Sequence, residues 1–175
     1  MSYDSWMAVI EEALAVRQRL KELDTVPLWR YPQPTKPASL LELDAVEDQL
    51  GELDPGYVAF LRCANGWPRF YQDVDLFGTE QLLGGPERAW AYETLALLAE
   101  AGSLDPIGVR SQSVVPIAGS FLQTDLFLMC MAPGERRGHV LWVAGELIDE
   151  YQSFFEYFTA MIAYQRRQVG IFERR

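Results

Sequence analysis

The chain has few of the residues on which most metal and nucleophilic sites depend. It contains a single histidine, His139, two lysines, and two cysteines, Cys63 and Cys130. A tetrahedral zinc site needs four histidine or cysteine ligands unless carboxylates complete it, so no metal is expected. Two cysteines without a repeat spacing indicate reduced, buried thiols in a cytoplasmic protein rather than a disulfide framework. No other cofactor is expected either.

Several motifs are also missing. No apolar run reaches the roughly 18 residues of a membrane span, and the N-terminus lacks the pattern of a signal peptide. There is no G-x-S-x-G nucleophile elbow and no phosphate-binding glycine loop. The enzymatic alternatives are His139 as a base for Cys63, or two converging carboxylates near Asp73 and Asp75. Because no motif marks either of them, we predict that the protein is not an enzyme.

Negative charge is plentiful and unevenly distributed. The formal net charge is −10, and no basic residue occurs between Pro37 and Leu61. This stretch contains Glu42, Asp44, Glu47, Asp48, Glu52 and Asp54. Such a field repels nucleic acids and anionic membranes, and it accelerates association with a basic protein. The alternative interpretation is a solvated helix face that maintains solubility.

The first 38 residues are predicted to be a helix and a proline-rich connector packed on the main domain. Apolar spacing over residues 5–24 places Trp6, Ile10, Ala13, Arg17 and Leu20 on one side of the helix. Four prolines at positions 27, 32, 34 and 37 then exclude helix, so the connector runs extended. Trp29 and Tyr31 are expected to pin it to the body of the protein.

Residues 39–170 are predicted to form the main domain, beginning with two helices that pack as an αα-hairpin. Ser39 and Glu42 form a capping box for the first helix. Asp54 and Pro55 begin the second helix, which is expected to run to Ala64 before Asn65-Gly66 ends it. The residues from Trp67 to Asp75 then read as an aromatic and acidic loop. A second interpretation is that these aromatic residues close the edge of the core.

This segment contains most of the residues predicted to bind a partner. Aromatic side chains dominate the energetics of many interfaces, and carboxylates steer basic partners toward them. The predicted partner-binding residues are Trp67, Tyr71, Asp73, Asp75 and Glu80.

After a short helix at TEQLL and a helical segment from Pro86 to Ala101, the pattern changes to strands. VVPIA, TDLFLMCM, HVLWV and ELIDEY are separated by short turns, which only antiparallel strands permit. Pro116 is expected to place its strand at an edge or a strand end. A helix capped by Ser153 and Glu156 follows, with a basic tail at 171–175 that frays after Gly170. The predicted class is α+β, an antiparallel meander packed with helices.

The order of these motifs resembles the SMI1/KNR4 family, also called the SUKH superfamily, from about Leu41 to Phe158. The similarity rests on Y-x-x-F-L-x-x-x-N-G at 57–66, D-L-F-G at 75–78, V-P-I-A at 115–118 and S-F at 153–154. Asp125 takes the place of the family's Gly-Asp aspartate, with Thr124 where glycine is usual. The helical segment from Pro86 to Ala101 looks like an addition to the family pattern.

The resemblance implies a protein-binding domain. Bacterial members of the family resemble immunity proteins that neutralise a cognate toxin by direct binding. We therefore expect a cytoplasmic, antitoxin-like protein, monomeric or homodimeric, whose partner is a toxin or another protein, basic in charge, and neither nucleic acid nor membrane. The alternative is a housekeeping scaffold or peptide-binding module without a toxin partner.

Overall fold

The computed structural model describes residues 3–26 and 28–174 of the chain. Its helices are α1 Tyr3–Leu23, α2 Leu40–Leu50, α3 Pro55–Leu61, α4 Thr79–Leu83, α5 Gly85–Glu100 and α6 Phe154–Phe172. The strands are β1 Trp67–Tyr71, β2 Val74–Leu76, β3 Val114–Gly119, β4 Leu126–Cys130, β5 Val140–Val143 and β6 Leu147–Tyr151. All strand pairs are antiparallel and follow chain order, which confirms the α+β class and the meander. Within the described residues, no helix is both long and apolar enough to cross a bilayer.

The residues from Trp67 to Asp75 form most of a β-hairpin, so the prediction of a loop was wrong. Trp67 and Phe70 are fully buried, although they are not in the alternating positions of a regular strand. The register shifts between Trp67 and Tyr71, and Arg69 has a positive φ of 49°. Because this irregularity breaks the period of two, the usual sequence signal of a strand is absent.

The strand β3 lies inside the sheet with Pro116 in its interior, whereas Pro116 was expected to mark an edge strand or a strand end. Two features of the pairing make the proline tolerable. β2 pairs only with Ala118 and Gly119, and the register with β4 shifts between Pro116 and Ala118. Pro116 therefore lies beside an irregularity and beyond the part of β3 that pairs with β2, one of the situations in which a strand accepts proline.

An aromatic core joins the N-terminal helix to the main domain. Trp6 of α1 is fully buried, with its ring 5.6 Å from Phe60 and 5.3 Å from Phe158. α1 packs along α6, and α3 also packs against α6. The predicted apolar side of α1 is the buried one, since Trp6, Ile10, Ala13, Arg17 and Leu20 are all buried.

The helices α2 and α3 do not form the predicted αα-hairpin. α2 packs mainly against α4, while α3 directs Tyr57 and Phe60 toward Phe154 of α6. The capping box at Ser39 and the Asp54 cap are present as predicted. α3 ends at Leu61 instead of Ala64, because the amides of Cys63 and Ala64 both donate to the Phe60 carbonyl and tighten the chain.

The C-terminal helix continues past Gly170, so the prediction of fraying there was wrong. α6 extends to Phe172, which is buried, and Glu173 pairs with Arg19 of α1 at 2.9 Å. The predicted tail at 171–175 is thus largely ordered against α1, and its last residue lies outside the described residues. Ser153 caps α6 as expected, but the Glu156 carboxylate accepts from the amide of Gln152 rather than closing a capping box.

Candidate partner-binding surface

Trp67 is not available to a partner, which corrects its prediction as an anchor. Its side chain is fully buried, and its indole N–H donates to the Pro32 carbonyl at 3.0 Å. The Arg17 guanidinium lies over the ring, 5.3 Å from its centroid. Trp67 therefore joins the connector to the core. The alternative interpretation of this aromatic residue, a core-closing role, is the one that the structure supports.

Arg17 is the buried cation that organises this region. Its Nη1 donates to the carbonyls of Arg69 at 2.8 Å and Phe70 at 2.7 Å, and its Nη2 donates to Pro32 at 3.3 Å. Burial lowers the pKa of the guanidinium to about 10, so it stays protonated at neutral pH. Backbone carbonyls and aromatic rings, rather than a carboxylate, surround the charge.

Asp73 and Asp75 are both engaged by Arg69 within the hairpin. The Arg69 guanidinium lies 2.8 Å from Asp73, and its backbone amide donates to Asp75 at 2.6 Å. Partial burial raises the pKa of Asp75, and the nearby carboxylates of Glu87 and Asp73 raise it further, against the opposing effect of Arg69. These two acids hold the bent conformation of the hairpin, and their charge is partly neutralised there.

Tyr71 belongs to a half-buried aromatic cluster that sequence spacing did not reveal. Its ring lies 6.0 Å from Trp142 of β5 and 6.1 Å from Tyr164 of α6. Because three strands separate β1 from β5, the sheet must curl around α6 to bring these rings together. Asp125 accepts a hydrogen bond from the Trp142 indole at 2.6 Å, which orients that ring.

Within the predicted acidic stretch, the outer side of α2 exposes both apolar and acidic side chains. We call Leu40, Leu41, Asp44, Glu47 and Asp48 the acidic face. Leu40 is 67% exposed and Leu41 is 79% exposed. Leu41, Asp44 and Asp48 share one side because they recur at i, i+3 and i+7. Among the described residues, none of the three carboxylates of this face forms an ion pair.

Glu80 is exposed on α4, the helix that packs against α2. It therefore lies on an element that contacts the helix carrying the acidic face. The sequence did not predict that Leu40 and Leu41 are exposed. Both lie at the start of a helix with apolar periodicity, and that pattern alone does not show which leucines face the solvent.

The sheet face remote from α6 brings together a thiol, an imidazole and a carboxylate. The backbone amide of Cys130, the last residue of β4, donates to the carbonyl of His139, which immediately precedes β5, and His139 Nδ1 is 2.7 Å from Glu150. The enzymatic alternative had paired His139 with Cys63 instead. Burial raises the pKa of the Cys130 thiol, and no hydrogen bond joins this thiol to His139. In the described part of the chain, no group of three or more potential ligands suits a metal ion.

The Glu150 carboxylate contacts the side chains of His139 and Arg136, and its contribution to the stability of the fold therefore depends on pH. Its partial burial alone would raise its pKa, but His139 and the paired contacts of Arg136 bring the pKa below the ordinary value. A carboxylate with a lowered pKa stabilises the fold while it is ionised. That contribution is complete above the unfolded-state value near 4.5 and is lost as the pH falls through the folded-state value.

We therefore predict that Glu150→Gln lowers the free energy of unfolding by about 1 kcal/mol at pH 7, and by much less near pH 3. Urea unfolding of both proteins between these pH values tests this prediction. Glu146→Gln, at an exposed position on the β5–β6 turn, is the matched control. Its free energy of unfolding should change with pH in the same way as that of the unmodified protein. A constant difference between Glu150→Gln and the unmodified protein at every pH contradicts the prediction.

No protein-family model and no curated protein matches this chain. The similarity to the SUKH superfamily therefore stays a prediction that rests on the motifs.

Proposed function

We propose that this protein is a protein-binding domain that recognises a basic partner through the acidic face of α2. The observation that carries the proposal is the exposure of Leu40 and Leu41 beside three carboxylates without a cationic partner among the described residues. Large exposed leucines on a helix lose contact with water when a partner covers them, which provides affinity. The unpaired carboxylates attract a basic surface over a long range, which provides speed and selectivity.

The motif resemblance supports a more specific proposal, that the partner is a toxin which this immunity-like protein blocks by direct binding. Glu80 extends the proposed surface onto α4. Asp73 and Asp75 rank below the acids of α2, since Arg69 already contacts both. Tyr71 is a candidate for a separate contact at the aromatic cluster.

The double charge reversal Asp44→Lys/Asp48→Lys is predicted to slow association with a basic partner by about tenfold or more at low salt. It is also expected to reduce the dependence of the association rate on salt. The measurement is binding kinetics with the protein product of an adjacent gene, together with growth of cells that express both genes. Leu41→Ala should mainly accelerate dissociation, because it removes apolar contact rather than charge.

The control is Glu100→Lys/Glu146→Lys, which makes the same change of charge at exposed positions outside the acidic face. Equal slowing in the control and the test variant would show that only net charge matters, and would reject the acidic face. A partner that binds this face without any protection of growth would instead favour the housekeeping scaffold over the immunity protein.

A further inference from the structure

A groove whose charge is opposite to that of the acidic face lies between the end of α1, the proline-rich connector and β1. It encloses about 700 Å³. Its lining residues are Lys21, Asp24, Trp29, Arg30, Tyr31, Pro32, Pro68 and Arg69. We call it the basic groove. It shares no residue with the acidic face.

The groove is positively charged although the whole chain carries a net charge of −10. Lys21 and Arg30 are exposed, and neither forms an ion pair among the described residues. Directly behind the groove, the buried Arg17 adds a charge that no carboxylate compensates. Asp24, the one carboxylate of the lining, accepts from the backbone amides of Leu28 and Trp29. These contacts leave Lys21 and Arg30 free to bind an anionic group.

The walls of the groove are aromatic rings and prolines, and the ring of Tyr31 is already held in place. The Tyr31 hydroxyl donates to Asp24 at 3.1 Å, and the Arg17 guanidinium lies 5.7 Å from the centre of the Tyr31 ring. The backbone amide of Trp29 also donates to Asp24. Fixed rings lose little conformational entropy when a ligand binds. Grooves lined by aromatic side chains are the usual docking sites of extended, proline-containing segments.

We propose that the basic groove binds an acidic, proline-containing peptide segment of a second partner protein. Its carboxylates contact Lys21 and Arg30, and its prolines pack on Trp29 and Tyr31. This binding activity is additional to the recognition of a basic partner, because the two surfaces attract charges of opposite sign. A single-stranded nucleic acid fits less well, since two carboxylates adjoin the lining: Glu22 follows Lys21 in the chain, and Asp73 contacts Arg69.

The probe for this proposal is a fluorescein-labelled peptide of about ten residues with alternating glutamate and proline, measured by fluorescence anisotropy. We expect saturable binding that weakens with added salt, as binding between opposite charges does. Lys21→Glu/Arg30→Glu is expected to weaken it by about tenfold or more. The matched control Lys36→Glu/Arg110→Glu changes one exposed lysine and one exposed arginine outside the groove, and should weaken it far less.

Three results would overturn the proposal. They are no saturable binding of the peptide, equal weakening in the test and control variants, and tighter binding of an oligothymidylate than of the peptide. A peptide in which glycine replaces proline should bind more weakly if the rings contribute. The Asp44→Lys/Asp48→Lys variant should bind the acidic peptide at least as well as the unmodified protein, so failure of either surface is recognised separately.

Discussion

Replacing Arg17 by alanine is expected to lower the free energy of unfolding by about 4 kcal/mol. The fold as a whole is stabilised by only about 5–15 kcal/mol, so this change removes a large part of it. The expected cost has two sources. The guanidinium makes charge-assisted hydrogen bonds to three backbone carbonyls, and its aliphatic stem fills space that alanine leaves empty.

The three carbonyls that accept hydrogen bonds from Arg17 differ in the donors that they keep when Arg17 is replaced. Pro32 keeps the hydrogen bond from the Trp67 indole, and Phe70 keeps one from Gln165 at 2.9 Å. The Arg69 carbonyl loses the hydrogen bond that it accepts from Arg17 at 2.8 Å. Arg17→Met, which preserves most of the stem, should therefore cost about half as much as Arg17→Ala.

Urea unfolding provides the measurement, and the midpoint of Arg17→Ala should fall by about 2 M for a slope near 2 kcal/mol/M. Arg19→Ala is the matched control, because Arg19 lies on the same helix and its side chain is half exposed in a pair with Glu173. Exposed pairs of this kind contribute little. A midpoint for Arg17→Ala that equals the control would contradict the buried, hydrogen-bonded state of the guanidinium.

Gly66→Ala is the second change expected to have a large effect, about 3 kcal/mol or more. Gly66 has a φ of +87°, which a residue with a side chain adopts only with strain. An added Cβ would also lie 2.9 Å from the Leu76 carbonyl oxygen and equally close to the Cα of Gly78. These are backbone atoms, so the neighbours cannot move aside by a change of rotamer.

The tight approach at Gly66 follows from the junction that surrounds it. The side chain of Asn65 binds Thr79 twice, accepting from its amide and donating to its hydroxyl, both at 2.7 Å. The backbone amide of Asn65 donates to the Lys36 carbonyl at 3.1 Å. The exit of α3, the start of α4 and the connector are thus held at one point, where only glycine fits between the backbones.

Gly51→Ala separates the two contributions. Gly51 has a similar φ of +81°, but no atom lies within 4 Å of an added Cβ. Its substitution should therefore show the conformational strain alone, about 1–3 kcal/mol. The difference between the two variants in urea unfolding measures the close approach. Equal losses would mean that the backbones at the junction separate easily, contrary to the structure.

Local signals predicted most of the secondary structure. Ser39, Asp54 and Ser153 all cap the helices that they were expected to cap, since a cap depends only on the next few residues. The periodicity of α1 placed Arg17 among apolar residues of the buried side. The apolar segments from Val114 onward likewise became strands in the predicted order, because short turns leave no alternative to an antiparallel meander.

The candidate site was predicted less well, for a physical reason. Tryptophan and tyrosine occur both in cores and at interfaces, so composition does not distinguish the buried Trp67 from the half-buried Tyr71. Their environments are set by Arg17, Trp142 and Tyr164, which are far away in the chain.

The sequence by itself determined the features that depend on neighbouring residues or on composition. These are the helix caps, the apolar sides of the helices, the order of the strands and the abundance of negative charge. The tertiary structure alone decided which acids remain unpaired, which rings are buried, and that Asn65-Gly66 meets Gly78 and Thr79. It also decided that a few cations of an acidic chain meet beside Trp29 and Tyr31. These features depend on packing between distant segments, and the pattern of any one segment contains no record of its distant neighbours.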